Sequence, residues 1–299
     1  MASKAESMAG DLSQRRAVTR SHARRCESSN EAVLGERTTR RGGLGDGRDA
    51  GETKGNREAR GKGEKEETLE YYPDKFHGSF SSQAVGEVVC TFGKKKREIV
   101  EEIGLGGLLH LKTNMTHSRA LVFWLLRRLN PQKMKILLGG GNEMALTEKS
   151  VERVLGIRSS GVELVQAKRA VPDSLTLTLH QTFGTRGPKV LPKGDELRRV
   201  LLKEYGEEMS KKDEDKFVVA LSAFCCAYML GPEERSAMVP KNIWEFISVA
   251  GNVRNCNWAR YVLSIIRKNA QEVKNNMMHG DPFSVRLGGC WLYLEVIKL

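Results

Sequence analysis

Residues 103–157, IGLGGLLHLKTNMTHSRALVFWLLRRLNPQKMKILLGGGNEMALTEKSVERVLGI, decide the fold. Leu121, Val122, Trp124, Leu125 and Leu129 recur at helical spacing over 118–130, which predicts an amphipathic helix with Arg127 and Arg128 on its wet face. Asn130-Pro131 ends that helix, because proline restricts the residue before it and has no N–H to donate. Two short runs, 135–138 and 143–146, then flank GGGN. Glycine and asparagine tolerate positive φ, so this pattern predicts one small β-hairpin. Thr147 stands at an N-cap position before a short helix with Val151, Val154 and Leu155 on its apolar stripe, and Gly156 stands at its left-handed C-cap. The stretch reads as the centre of a mainly α-helical globular domain.

Towards the C-terminus, further helices supply the surfaces that pack on this centre. Asp195 is expected to cap a helix, ELRRVLLKEYGEEM, that buries Leu197, Val200, Leu201 and Tyr205. Residues 211–216 read as a charged break. FVVALSAFCCAYML (217–230) is apolar nearly all round and predicts a central buried helix, ended by Gly231-Pro232. NIWEFISVAGNV predicts one helix after Pro240, and NWARYVLSIIRKN a longer one with Trp258, Tyr261, Val262, Ile265 and Ile266 inward. GGCWLYLEVI closes the domain as a helix or a strand. Residues 156–194, with LTLTLH and a proline- and glycine-rich end, read as a long surface connection.

Towards the N-terminus the composition changes. Residues 1–68 contain no Phe, Trp, Tyr or Ile and carry 15 Lys and Arg against 12 Asp and Glu. Such a segment cannot bury enough apolar surface to offset its chain entropy, so a disordered arm is expected, with the folded domain over 69–299. Residues 76–90 are expected to dock on that domain without regular structure. Residues 94–102 predict a helix burying Ile99, Val100 and Ile103. Lys94, Lys95, Lys96 and Arg97 open it as KKKR, a minimal nuclear-import pattern whose cations could also touch phosphates. Lysines at a helix N-terminus oppose its dipole, so the run is not explained by the stability of its own helix.

GLGGLLHL, LTEKSVERVLGI, NWARYVLSIIRKN and GGCWLYL, in this order, resemble the plant mobile domain of transposon-derived proteins of grasses, a family also labelled aminotransferase-like. The resemblance covers roughly residues 76–295. It differs in carrying GLGG in place of the more usual GFGG, and Ser150 where an acidic residue is common. It implies a transposon-derived plant protein or a fragment of one. In many members a Ulp1-type cysteine protease domain follows, so a chain ending just after GGCWLYLEV is expected to be a shortened member. The family label implies no transaminase chemistry.

The residues themselves argue against chemistry. The formal net charge is +12, which suits nucleic-acid contact, but the cations are scattered and no recognition-helix motif accompanies them. Cys26, Cys90, Cys225, Cys226, Cys256 and Cys290 form no CxxC pair, which argues against a zinc site and for reduced intracellular thiols. No apolar run approaches the ~18 residues of a membrane span. His22, His77, His110, His117, His180 and His279 stand in no recognisable active-site pattern, and His110 in GLLHL reads as a satisfied core residue. GLGG (104–107) lacks the third spaced glycine of a nucleotide loop and reads as a close-packing device. The expectation is therefore a non-enzymatic, nuclear protein-interaction or nucleic-acid-associated module, without cofactor or membrane anchor. The rivals are a piece of a cysteine protease protein and a direct DNA binder.

Overall fold

The structure, a computed structural model, describes residues 78–205, 208–232, 238–279 and 286–297; the arm expected over 1–68 lies outside them. Helix α1 (Ser82–Val89) begins where the Ser81 hydroxyl accepts the Ala84 N–H at 3.1 Å, and it buries Val85, Val88 and Val89. The segment expected to dock irregularly is thus a capped helix. Helix α2 (Lys94–Glu102) buries Ile99 and Val100, with Ile103 buried just beyond its end. A 3-10 turn (Gly106–His110) follows, and a Cβ on Gly107 would lie 1.9 Å from the carbonyl oxygen of Leu155. The glycines of GLGG therefore serve close backbone packing.

Helix α3 (Arg119–Arg128) is capped by Ser118 and buries Val122, Phe123, Leu125 and Leu126. Trp124, expected inward, is only half-buried, with the Arg128 guanidinium 4.4 Å from its ring centroid. Leu129 leaves the helix before Pro131 and enters strand β1 (Leu129–Asn130), paired antiparallel with β2 (Lys135–Gly139). The expected hairpin of β2 with β3 (Asn142–Ala145) turns at Gly140 and Gly141, with φ of 58° and 79°, as a two-residue turn requires. The sheet thus has three strands in the order β1-β2-β3. Two residues between a helix and a proline carry no strand signal, which is why β1 escapes a reading by periodicity.

Helix α4 (Glu148–Leu155) has the expected Thr147 cap, reinforced by Ser150, whose hydroxyl accepts the Thr147 N–H at 2.9 Å, and ends at left-handed Gly156. The supposed surface connection holds helix α5 (Asp173–Phe183), which buries Thr176, Leu179 and Phe183. Its threonine hydroxyls donate back to the carbonyls of Asp173, Ser174 and Thr178, so a period-two Thr/Leu pattern is accommodated in a helix. Helix α6 (Gly194–Leu202) starts at Lys193, whose N–H donates to the Glu196 carboxylate at 3.0 Å; Asp195 lies inside the first turn and is not the cap. The helix stops at Leu202, well before Tyr205.

The expected charged break is the beginning of helix α7 (Lys211–Cys225), capped by Ser210, with Asp213 and Glu214 in its first turn. Acids there favour the helix N-terminus. Its apolar run is fully buried and continues through a π turn (Cys226–Leu230). NIWEFISVAGNV is not one helix: a 3-10 turn (Lys241–Ile243) leads into α8 (Trp244–Ile247) and, after Val249 in extended conformation, α9 (Ala250–Arg254). Helix α10 (Trp258–Met278) buries the five residues expected, and α11 (Trp291–Val296) closes the described chain as a helix. α7 packs against α6, α9 and α2; α10 and α11 both pack against α3 and α4. One continuous apolar core joins these two groups. Among the described residues no helix is long and apolar enough to cross a membrane.

Candidate functional site

The four cations that open α2 do not present a common face to solvent. Lys94 is exposed and reaches Glu98 at 4.0 Å, whereas Lys95 pairs with Glu214 of α7 at 2.7 Å, which raises its pKa. Lys96 turns inward. Its ammonium donates to the carbonyls of Leu201 and Lys203 at 2.6 and 2.9 Å, at the end of α6. The rings of Phe92, Tyr205 and Phe217 stand within 5.3–5.7 Å of it, and burial brings its pKa down to about 8. Lys96 supplies a cation to the carbonyl end of α6, where the helix dipole favours one. Arg97 is half-buried. Two members of the run thus tie α2 to α6 and α7.

The thiols within the fold are poorly placed for chemistry. Cys225, Cys226, Cys256 and Cys290 are buried. Burial pushes Cys256 and Cys290 up to about 12 and raises Cys225 as well, suppressing the thiolate that a nucleophile needs. Cys90 is exposed at the end of α1, its thiol 3.3 Å from the Glu87 carbonyl. Cys26 lies outside the described residues, as do His22 and His77. His110, expected in the core, is exposed, because the 3-10 turn directs Leu108 and Leu109 inward in its place. His180 contacts the Thr185 hydroxyl at 2.9 Å, and His279 is exposed at the end of α10.

His117 has a different setting. It immediately precedes the cap of α3, where its Nδ1 lies 2.6 Å from Glu295 Oε2 of α11 and its Nε2 lies 2.7 Å from the hydroxyl of Ser82, the first residue of α1. The other Glu295 oxygen accepts the Ser118 N–H at 2.6 Å. A carboxylate can only accept, so the proton between His117 and Glu295 sits on Nδ1; in the neutral imidazole, Nε2 is then left to accept the Ser82 hydroxyl. Phe80 covers the group, edge-on to His117 at 4.8 Å and stacked on Trp291 at 5.4 Å. Ser82 is 1% exposed. Motif reading missed this relay because Ser82, His117 and Glu295 lie 35 and 178 residues apart in pairs and match no local pattern.

A third feature lies at the tip of the β2–β3 hairpin. Leu137 and Leu138 are 51% and 37% exposed, and the pairing register slips between Leu137 and Gly139. β3 forms one edge of the sheet. Among the described residues no group of three or more His, Cys, Asp or Glu is gathered as metal ligands would be.

A family model described as Domain of unknown function (DUF8566) matches residues 79–295. No curated protein and no solved structure matches the chain.

Proposed function

The chain belongs to this family of unknown function, and we propose that it is a protein-interaction module of a transposon-derived plant protein, working in the nucleus without cysteine chemistry. The observation that carries this reading is the hairpin tip. Leu137 and Leu138 leave neighbouring apolar side chains bare where the register slips. Because each is only about half exposed, burying either on a partner is worth about 1 kcal/mol. The adjoining edge strand β3 offers its backbone to an added strand.

Direct nucleic-acid binding is the weaker reading, because Lys95 and Lys96 are already engaged with Glu214 and with the end of α6. The test is affinity purification of the tagged full chain and of a L137S/L138S variant from plant nuclei, compared by mass spectrometry. The reading expects partners held by the wild type and lost from the variant. An identical set recovered with both would overturn it.

A further inference from the structure

We propose that Ser82 is an acylable nucleophile with His117 as its base, and that this centre hydrolyses carboxylic esters of small apolar acyl groups. The connectivity is that of a serine–histidine–carboxylate relay: hydroxyl to Nε2 at 2.7 Å, Nδ1 to carboxylate at 2.6 Å. Glu295 is itself held by the Ser118 N–H, so it fixes the tautomer and orientation of the imidazole as a positioning residue. Ser82 opens α1, and the N–H groups of Ser82 and Gln83 have no acceptor among the described residues. The N–H of the residue following a nucleophile at a helix start is a suitable donor to a developing oxyanion. The buried indole N–H of Trp291, whose ring stacks on Phe80, also lacks an acceptor among the described residues. The aromatic rings of Phe80 and Trp291 beside the relay favour a small apolar acyl group.

As the Ser82 oxygen bonds to the acyl carbon, its proton passes to His117 Nε2 and then to the departing alkoxide, which leaves as the alcohol. Water then attacks the acyl-serine; its proton passes through His117 to the serine oxygen as the acid is released. Ester and water become acid and alcohol, and no other reactant is needed. Because Ser82 is buried, residues 78–81 must lift Phe80 from His117 before an ester can enter. This centre goes beyond the interaction reading, and neither Leu137 nor Leu138 takes part in it.

The full chain is treated with a fluorophosphonate probe, the modified residue is mapped by peptide mass spectrometry, and p-nitrophenyl acetate hydrolysis is followed in parallel. Expected are one equivalent on Ser82, none in Ser82→Ala, a rate about a hundredfold or more lower in His117→Gln, and faster labelling in Phe80→Ala. Glu295→Gln should alter the pH profile of labelling, with partial rescue by Glu295→Asp. Thermal unfolding identifies the variants that remain folded. An unmodified Ser82 in both the wild type and folded Phe80→Ala would overturn the proposal. So would labelling that is indifferent to His117, or labelling without ester turnover.

Discussion

The indole N–H of Trp258 donates to the carbonyl of Ile103 at 2.8 Å, joining the start of α10 to the end of α2 across 155 residues of chain, with both side chains fully buried. Trp258→Ala removes a large core side chain and should destabilise the domain by about 3–5 kcal/mol. Trp258→Phe keeps most of the apolar bulk but leaves the Ile103 carbonyl without its donor, costing about 1–3 kcal/mol. Urea unfolding of the two variants separates packing from hydrogen bonding. Equal losses would assign the whole effect to the hydrogen bond, which both variants lack.

Gly107 and Gly251 make opposite predictions. A methyl on Gly107 meets the Leu155 carbonyl oxygen at 1.9 Å, so Gly107→Ala forces the 3-10 turn away from the end of α4. A loss of at least about 1–3 kcal/mol is expected. Gly251 lies in α9 with nothing within 4 Å of the added methyl, so Gly251→Ala should gain up to about 1 kcal/mol from helix propensity. Thermal unfolding of both reads the contrast directly, and a tolerant Gly107 would mean that the two backbones separate readily.

Local chemistry was legible wherever one side chain answers one backbone group. The Thr147 cap, the glycine turn of the hairpin and left-handed Gly156 all stand where their residue types require. Periodicity failed where two signals compete. LTLTLH alternates like a strand, yet threonine hydroxyls satisfied within α5 let Leu179 and Phe183 anchor a helix. KKDEDK looked like a break because charge was weighed without position; Ser210 and two acids in a first turn are a helix start. The candidate site was least legible. Ser82, His117 and Glu295 each read as an ordinary polar residue, and only the approach of α11 and of the start of α1 to His117 brings them together.

Lys96 separates structural from import roles in KKKR. Lys96→Met leaves the Leu201 and Lys203 carbonyls without their cation and should cost about 1–2 kcal/mol, moderated because the site is half open to water. Lys94→Ala/Arg97→Ala, which spares both inter-helix ties, should leave the melting temperature nearly unchanged. A fluorescent fusion in plant cells then tests import. If these two cations are needed for the signal, the double variant loses nuclear accumulation while staying folded; retained accumulation would remove Lys94 and Arg97 from the localisation argument.

The buried thiols make the last prediction, on reactivity and on pH. Burial raises Cys256 and Cys290 from about 9 to about 12, and Cys225 moves the same way. In the unfolded chain each thiol ionises near its ordinary value, whereas in the folded domain each stays protonated. The folded state therefore holds more protons than the unfolded state above pH 9. The stability conferred by these thiols is present below that value and is lost as pH rises towards 12. Urea midpoints should fall across this window, and less steeply in Cys256→Ala/Cys290→Ala. Dithiobis-nitrobenzoate at pH 8 should modify exposed Cys90 quickly in the native protein, and the four buried cysteines only after denaturant is added. Rapid native modification of Cys290 would contradict its burial and reopen a thiol chemistry for the domain.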